Sequence, residues 1–403
     1  MSAGAHVGQK AALVCLSAVG AGVAAQATDL LTLLIALEIA AACGYALVAS
    51  SRTRASSEAA MKYLVQGAVV TALFVVAAAV LMGGYAANGS YVALADSVSQ
   101  GPRSPLLFGM TLLVAGLVFK TGGAPFHSWA PDAYETAPEP VAGFLAGPVK
   151  LAMVASLATV AVVIGGAGVS QTSPVGLLGS KLFPAVAGLA VASIFLGSLI
   201  ALRQRTYTRM LAYAGVAQVG YALIAVASRN HTAAIFFACT YALASTGTFV
   251  AAQAFRAENP RWDGSIDQLA GVARRRPLLG LSVTVLLLSL AGIPPLLGFW
   301  GKLQSFQSAI VLALGLRQPA TMNLAVLYAV LAAAGIAGSV ISVSYYGSVI
   351  RTVYADSTDD ESDESQPARV PEAVVVVLAL AVLVLGVAPL VMPFSAALQG
   401  FLL

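Results

Sequence analysis

Long apolar runs recur along the whole chain, and they are separated by short polar segments. A helix needs about 20 apolar residues to cross the ~30 Å hydrocarbon core of a bilayer. Eleven runs meet this length, with approximate limits 9–26, 29–49, 58–83, 105–123, 138–165, 181–202, 206–228, 231–255, 278–315, 322–350 and 371–397. The pattern predicts an all-α polytopic membrane protein with about 11 transmembrane helices that form a single membrane domain, 1–403.

Two of these spans carry residues that interrupt a helix. The ninth span is too long for one straight crossing, and it contains Gly292-Ile293-Pro294-Pro295. The fourth is followed by a similar segment, 121–125, after which 126–137 forms a short continuation. Proline removes a backbone donor and breaks the helix interior, so we expect interrupted helices at both places.

The interrupted spans are five apart, which divides the chain into two units. We expect a first five-helix repeat at 9–165, a second at 181–350 and a final helix at 371–397. Because five is odd, the second unit would be inverted relative to the first. Inverted repeats with broken helices are typical of ion and substrate transport. The alternative is that Gly and Pro occur at these two places by chance.

The charge content excludes several classes of protein. Only 9% of the residues are charged and 59% are hydrophobic, which excludes a soluble enzyme, a disordered chain and a nucleic-acid binder. Most of the 21 Lys and Arg fall on the loops of one side, so the positive-inside rule predicts that the N-terminus is cytoplasmic and the C-terminus outside. We expect a multi-pass protein of the cell (inner) membrane. We expect no cleavable signal peptide, and we interpret the acidic run 356–364 as a solvated linker on an inner loop.

Cofactor chemistry finds little support in the sequence. Cys15, Cys43 and Cys239 lie singly in apolar runs, whereas an iron–sulfur cluster needs about four thiolates. The three histidines are not placed to face each other as haem ligands, and no dinucleotide-binding glycine motif follows a strand pattern. We therefore expect no cofactor, no metal and no electron-transfer catalysis in this chain.

Five ionisable residues fall within or beside the apolar spans: Glu38, Lys62, Lys120, Lys150 and Lys302. A charge at the centre of a membrane helix costs at least about 2.5–3.5 kcal/mol, so these residues must pair or face water. Lys62 is close to the end of its span, where its stem could lie in the membrane with the ammonium at the interface. Glu38 cannot reach the interface easily, and we expect it to pair with Lys62 or Lys120.

The chemistry that suits this set is a proton relay. A lysine in a dry site loses its proton more readily than in water. A second cation ~7 Å away costs a charged lysine about 2.4 kcal/mol of repulsion at an effective dielectric constant near 20. Opening an ion pair can therefore decide whether the next lysine keeps its proton. The buried polar set is nearly all lysine, with no acidic ring or aromatic cage, which favours protons over a bulky substrate or a metal ion.

The chain resembles the antiporter-like membrane subunits of the proton-pumping NADH–quinone oxidoreductase (complex I), most closely subunit N. The resemblance is carried by A-L-E-I-A-A-A at 36–42, E-A-A-M-K-Y at 58–63, V-F-K-T-G-G-A-P-F-H-S-W at 118–129 and S-L-A-G-I-P-P at 289–295, all in the family's order. The resemblance implies that Glu38 is the intramembrane acid and Lys120 its ion-pair partner. It also implies that Lys150 is the central relay, that Lys302 is the exit-side relay and that Lys62 belongs to the same set.

The resemblance also implies what surrounds the chain. NADH, flavin, iron–sulfur clusters and quinone are expected in partner subunits. The expected partners are other membrane subunits of complex I, both antiporter-like and small helical ones, together with the lipid bilayer and no nucleic acid. Two positions depart from the family, since Thr208 stands where a lysine is frequent and Gln218 where a histidine is frequent. His127 and Trp129 are expected to hold the turn after the first break.

Two other functions stay open at this stage. Multi-subunit cation/proton antiporters share the same helix plan, so the chain could be an antiporter subunit of such a system. Subunit N usually has fourteen helices and this sequence corresponds to the fourth onwards, which suggests, as a third hypothesis, a shortened paralogue with a structural role in assembly.

Overall fold

Helices make up nearly all of the structure, a computed structural model that describes residues 3–99, 104–165, 177–316, 321–356 and 369–391. The helices are α1 (Ala3–Ala25), α2 (Leu30–Ala49), α3 (Arg54–Gly84), α4 (Tyr91–Ser99), α5 (Ser104–Thr121), α6 (Trp129–Thr136), α7 (Glu139–Phe144), α8 (Lys150–Gly165), α9 (Leu177–Ala201), α10 (Tyr207–Ala227), α11 (His231–Glu258), α12 (Val272–Arg275), α13 (Pro277–Ala291), α14 (Leu297–Gly315), α15 (Met322–Tyr354) and α16 (Arg369–Val391). A π-helical turn (Leu145–Val149) joins α7 to α8, and a 3₁₀ turn (Asp267–Leu269) precedes α12. The predicted all-α membrane fold is confirmed.

The predicted spans correspond well to these helices. Within the described residues, ten helical stretches are long and apolar enough to cross a membrane. The remaining predicted span, the ninth, is divided between α13 and α14. The short helix α4 was not predicted, and residues 357–364 of the acidic run and 392–397 of the last span lie outside the described residues.

Both predicted breaks are present, and both helices end in the same way. Gly122 (φ +77°) follows α5 and Gly292 (φ +86°) follows α13, each in the left-handed region that favours glycine. The next residue donates its N–H back to a carbonyl five positions earlier, from Gly123 to Val118 (3.1 Å) and from Ile293 to Leu288 (3.0 Å). This hydrogen bond satisfies carbonyls that the ended helix would otherwise leave unpaired.

The predicted continuation after the first break is also present. Helix α6 occupies most of 126–137, and the preceding loop is anchored to α9, because the N–H of Ala124 donates to Ser193 Oγ (2.9 Å). Trp129 stacks on Tyr63 with ring centroids 4.1 Å apart, and its Nε1 donates to the carbonyl of Phe119 (3.3 Å). These contacts agree with the expected role of Trp129 in holding the turn.

Polar caps fix the helix starts on either side of the membrane. Asp29 accepts a hydrogen bond from the N–H of Thr32 (2.8 Å), which begins α2 and holds the pKa of Asp29 below its usual value. Thr53 and Ser56 form a reciprocal capping box at α3, and Asn230 caps α11 through the N–H of Ala233.

Small residues let neighbouring helices approach closely. A side chain at Gly197 of α9 would collide with the backbone of α10, at the nitrogen of Ala217 and the carbonyl oxygen of Tyr213 (2.8 Å). Gly220 of α10 faces the carbonyl oxygen of Ala190 at 2.7 Å in the same way. Helices in a membrane gain little from hydrophobic burial, so such close packing is a main source of their association.

One end of the bundle carries most of the exposed ion pairs, and we call it the basic face. It includes Arg256 with Glu139 (2.5 Å), Arg275 with Glu258 (2.8 Å) and Arg274 with Asp356. The inter-helix loops that the sequence assigns to one side of the membrane therefore meet at one end.

We expect Gly197→Ala to destabilise the protein by about 1–3 kcal/mol, because the added methyl group must push α9 away from α10. Gly188→Ala is the matched control on the same helix, since a methyl group there meets no atom within 4 Å. The measurement is the thermal unfolding midpoint of the purified protein in mild detergent. Equal midpoints for the two variants would contradict the close packing of α9 on α10.

Candidate functional site

Glu38 and Lys120 form a salt bridge within the membrane span. The Lys120 Nζ to Glu38 Oε1 distance is 2.8 Å, with 4% of the lysine side chain exposed and 33% of the glutamate. Lys120 lies in the last turn of α5, directly before the first break, where a cation is favoured by the helix dipole. Of the two partners expected for Glu38, the structure gives Lys120.

Lys62 is placed elsewhere. Its side chain is 48% exposed, and its ammonium pairs with Glu58 one helical turn away (2.9 Å) and with Asp132 of α6 (3.1 Å). Asp132 and Glu135 also hold Arg209, at 3.2 and 2.6 Å. Lys62 is therefore paired with Glu58 and Asp132 at the surface and does not contact Glu38. Asp132 can reach both Lys62 and Arg209 because the acidic side of α6 faces α3 and α10.

Lys150 lies at the centre of the bundle and is 4% exposed. The π-helical turn ends directly before it, and this turn contains Pro148, whose missing N–H prevents a regular helical bond. Two aromatic rings flank the ammonium, Tyr134 at 5.6 Å and Tyr241 at 5.5 Å from Nζ to the ring centroid. The ring faces offer electron density to a cation without pairing it to a carboxylate.

Lys302 is 3% exposed, and its ammonium has a different set of partners. It donates to the carbonyl of Ala291 (2.8 Å), at the end of α13, and to Ser339 Oγ (3.1 Å). The ring of Tyr221 lies 4.6 Å from Nζ. A side chain at Gly292 would meet the lysine stem at 2.8 Å, so the glycine of the second break also leaves room for Lys302.

Two small voids lie between Lys150 and Lys302. One is lined by Lys150 and the other by Lys302, and each has a volume of about 10 Å³, which is close to the space of one water molecule. Both voids are also lined by Gln218 and Tyr241. The Gln218 amide donates to the carbonyl of Leu290 (2.9 Å), which fixes the side chain between the two lysines.

A larger cavity of about 510 Å³ opens beside Lys302. Its polar groups include Lys302 and Ser339, and its walls are mainly apolar side chains of α14 and α15. Leu303 and Val340 of these walls are 40% and 65% exposed, so the cavity opens on the outer surface of the bundle. The second break therefore brings a buried ammonium close to the surface that faces lipid or a neighbouring subunit.

Sequence reasoning missed several of these neighbours. Thr71 donates its hydroxyl to Glu38 Oε1 (2.6 Å), while Ser339 and the two tyrosines beside Lys150 complete the other lysine sites. A hydroxyl inside an apolar span is a weak signal, because Ser and Thr often bond only to their own helix. Among the described residues, no group of three or more His, Cys, Asp or Glu side chains is arranged to hold a metal ion.

Comparison with known proteins gives a consistent result. Residues 27–332 match the family model described as NADH:quinone oxidoreductase/Mrp antiporter, TM. NADH-quinone oxidoreductase subunit N of Sphingopyxis alaskensis is 34% identical over 352 residues, which cover 86% of this chain and 69% of that protein.

Solved structures show the same likeness. A chain of respiratory complex I from Thermus thermophilus with bound aureothin matches with a TM-score of 0.77 and 31% identity, over 95% of this chain and 79% of that one. A chain of the Mrp complex from Dietzia sp. matches with a TM-score of 0.75 over 94% of this chain and 75% of that one, and its 19% identity shows the fold alone.

The Glu38–Lys120 pair can be tested by its stability. Glu38→Ala should lower the free energy of unfolding by about 1–3 kcal/mol, since it leaves a buried ammonium without its carboxylate. The double variant Glu38→Ala/Lys120→Met should recover most of the loss, because no charge is then left unpaired. Glu58→Ala, which removes one exposed partner of Lys62, is the control and should leave the unfolding midpoint unchanged. A double variant no more stable than Glu38→Ala would contradict the pairing.

Proposed function

This chain belongs to the family of NADH:quinone oxidoreductase and Mrp antiporter transmembrane subunits, and we propose that it moves protons through Glu38, Lys120, Lys150 and Lys302. Its similarity to subunit N supports a proton-translocating membrane subunit of a respiratory NADH–quinone oxidoreductase. Protons would pass along buried side chains and water, driven by electron transfer in other subunits.

The observation that carries this proposal is the pair of water-sized voids between Lys150 and Lys302. Two ammonium groups buried in one bundle are costly, and a structural role would be served by apolar side chains at lower cost. One water in each void would connect either lysine to Gln218, whose amide can both donate and accept hydrogen bonds. Lys150 and Lys302 are then the two ends of a short hydrated path.

In this proposal, the Glu38–Lys120 salt bridge regulates the protonation of Lys150 from the other end of the relay. While it is closed, the carboxylate offsets the charge of Lys120. When it opens, Lys120 becomes an uncompensated cation that disfavours a second charge at Lys150 by Coulomb repulsion. A proton is then driven from Lys150 towards Lys302. In this scheme Lys62, which the sequence had included in the relay, serves outside it, where Lys62 and Arg209 hold α6 through Asp132.

We propose that residues 9–165 and 181–350 are inverted repeats. The support is that α5 and α13 each begin the fourth membrane span of their unit, when the short helices α4 and α12 are left uncounted. Both helices also end at a glycine in the left-handed region, followed by the same backward hydrogen bond. Each unit would contribute its own broken helix to the relay, with Lys120 at the first break and Lys302 beside the second.

The redox groups belong to other chains in this proposal. NADH, flavin, iron–sulfur clusters and quinone would be held by partner subunits, and the membrane partners would be further antiporter-like and small helical subunits. The proposal assigns this chain the proton path and no electron-transfer step.

A cation/proton antiporter subunit is the second candidate, because the family description includes Mrp antiporters. The two candidates differ in what the chain assembles with. Purification in mild detergent should recover dehydrogenase and quinone-site subunits, whereas recovery of small antiporter subunits alone would favour the second candidate.

We expect Lys150→Ala and Lys302→Ala each to abolish most proton pumping in the assembled complex, because each removes one end of the hydrated path. Pumping is measured as acidification driven by NADH oxidation in membrane vesicles. Lys181→Ala, at an exposed position of α9, is the matched lysine control and should pump normally.

Native gels must show an intact complex for each variant. An intact complex that pumps normally without Lys150 or Lys302 would reject the relay, and it would favour the structural role in assembly.

The orientation can be tested separately. We propose that the basic face is cytoplasmic, with the N-terminus inside and the C-terminus outside, because cytoplasmic loops carry the excess of Lys and Arg. In a variant without the three native cysteines, Ala257→Cys near the basic face should react with an impermeant thiol reagent only in inside-out vesicles. Ala87→Cys, in the loop at the opposite end, should react only in right-side-out cells, and the reverse labelling would overturn the assignment.

A further inference from the structure

Thr71 of α3 is the second donor to Glu38. Its hydroxyl lies 2.6 Å from Glu38 Oε1, and the same oxygen accepts from Lys120 Nζ at 2.8 Å. The Thr71 hydroxyl also lies 3.0 Å from the carbonyl oxygen of Gly67, one turn earlier in α3. It therefore has two acceptors within hydrogen-bonding distance.

A threonine hydroxyl has one hydrogen, so Thr71 can donate to one of these acceptors at a time. A carboxylate is the stronger acceptor, and a hydrogen bond to it is shorter and roughly twice as strong as one to a neutral group. The hydroxyl hydrogen points to Glu38 while Glu38 is charged. A neutral Glu38 is a weaker acceptor, which frees the hydroxyl to turn towards Gly67.

The second position costs the helix little. The carbonyl of Gly67 lies within α3 and already accepts the regular bond from the backbone four residues later. Its second lone pair takes the threonine hydroxyl, as is common for Ser and Thr in helices. The turn of the hydroxyl therefore leaves no polar group of α3 unpaired.

The remaining oxygen of Glu38 is the one that can take the proton. Both hydrogen bonds that the described residues give to the Glu38 carboxylate end on Oε1. The side chain is 33% exposed, so water or a group on a neighbouring subunit can approach the carboxylate. Proton arrival at Oε2 weakens Oε1 as an acceptor for Lys120 and Thr71 together.

We propose that Thr71 is a positioning residue for the relay, a hydroxyl latch that holds Glu38 in its charged, Lys120-paired form and turns to Gly67 when Glu38 is protonated. The inference rests on the proposed function, since it concerns how the first salt bridge of the relay opens and closes. Its chemistry requires a hydroxyl at this position and not merely a side chain of this shape.

The test compares Thr71→Val with Thr71→Ser in the intact complex. Valine keeps the shape and removes the hydroxyl, whereas serine keeps the hydroxyl. A hydrogen bond to a charged group contributes about 1.5–3 kcal/mol, so we expect Thr71→Val to lower the pumping rate roughly tenfold or more and Thr71→Ser to restore it. Thr111→Val is the control, because Thr111 makes the same bond to a carbonyl one turn earlier (2.7 Å) at an exposed site without a carboxylate.

A spectroscopic measurement separates the latch from a structural role. The carboxylate stretching band of Glu38, identified by its loss in Glu38→Gln, should shift in Thr71→Val and keep its position in Thr71→Ser and Thr111→Val. An unshifted band with normal pumping in Thr71→Val would overturn the latch. So would a failure of serine to restore both measurements. If Thr71→Val does not assemble, Thr71→Ala provides the same comparison with a smaller side chain.

The two proposals fail in different ways. Normal pumping in both Glu38→Gln and Lys150→Ala would reject the relay and the latch together. Loss of pumping in those variants, with normal pumping in Thr71→Val, would reject the latch alone.

Discussion

The cost of holding an ammonium group away from water governs the candidate site of this protein. A bilayer offers no water to a buried lysine, so every stabilising contact must come from the protein or from enclosed water. Three lysines meet this requirement with three different environments. Lys120 uses a carboxylate, Lys150 uses two aromatic rings, and Lys302 uses a carbonyl and a hydroxyl.

Interruptions of the helices make these environments possible. A regular helix pairs its carbonyls with its own backbone N–H groups, and only the carbonyls of its last turn lack such a partner. Ala291 lies in such a turn, and its carbonyl is free for Lys302 because α13 ends at Gly292. Lys120 lies at the matching end of α5, and Lys150 follows directly after the π-helical turn. Each lysine is thus placed where regular helix geometry stops.

In the proposed relay, the three different lysine environments also give proton movement a direction. A carboxylate holds a lysine in its charged form strongly, whereas rings and a carbonyl hold it less strongly, so the sites do not bind a proton equally. In the proposed relay, opening of the Glu38–Lys120 salt bridge acts mainly on Lys150, whose ammonium is flanked by two aromatic rings. In the same proposal, Gln218 would connect a water in each of the two voids without itself taking up a proton, because an amide both donates and accepts hydrogen bonds.

The sequence by itself determined the long helices, the two breaks and the burial of Lys120, Lys150 and Lys302, because each follows from local composition. Apolar runs of membrane length predict spans, Gly and Pro predict breaks, and a charge within a span can be read directly from the chain. The sequence could not decide whether Glu38 pairs with Lys62 or with Lys120, which are 24 and 82 residues away along the chain. The direction in which each helix turns its faces decides such pairing, and that direction depends on packing between helices.

Only the tertiary structure decided that Lys62 joins Asp132 at the surface, that Thr71 reaches Glu38 and that Tyr134 and Tyr241 enclose Lys150. It also placed Gln218 between two voids that separate Lys150 from Lys302. These neighbours come from helices far apart in sequence, and their side chains carry no local signal, since a threonine or tyrosine in an apolar span packs equally well without a charged partner. These contacts depend on proximity across the bundle, and that proximity exists only once the helices are packed.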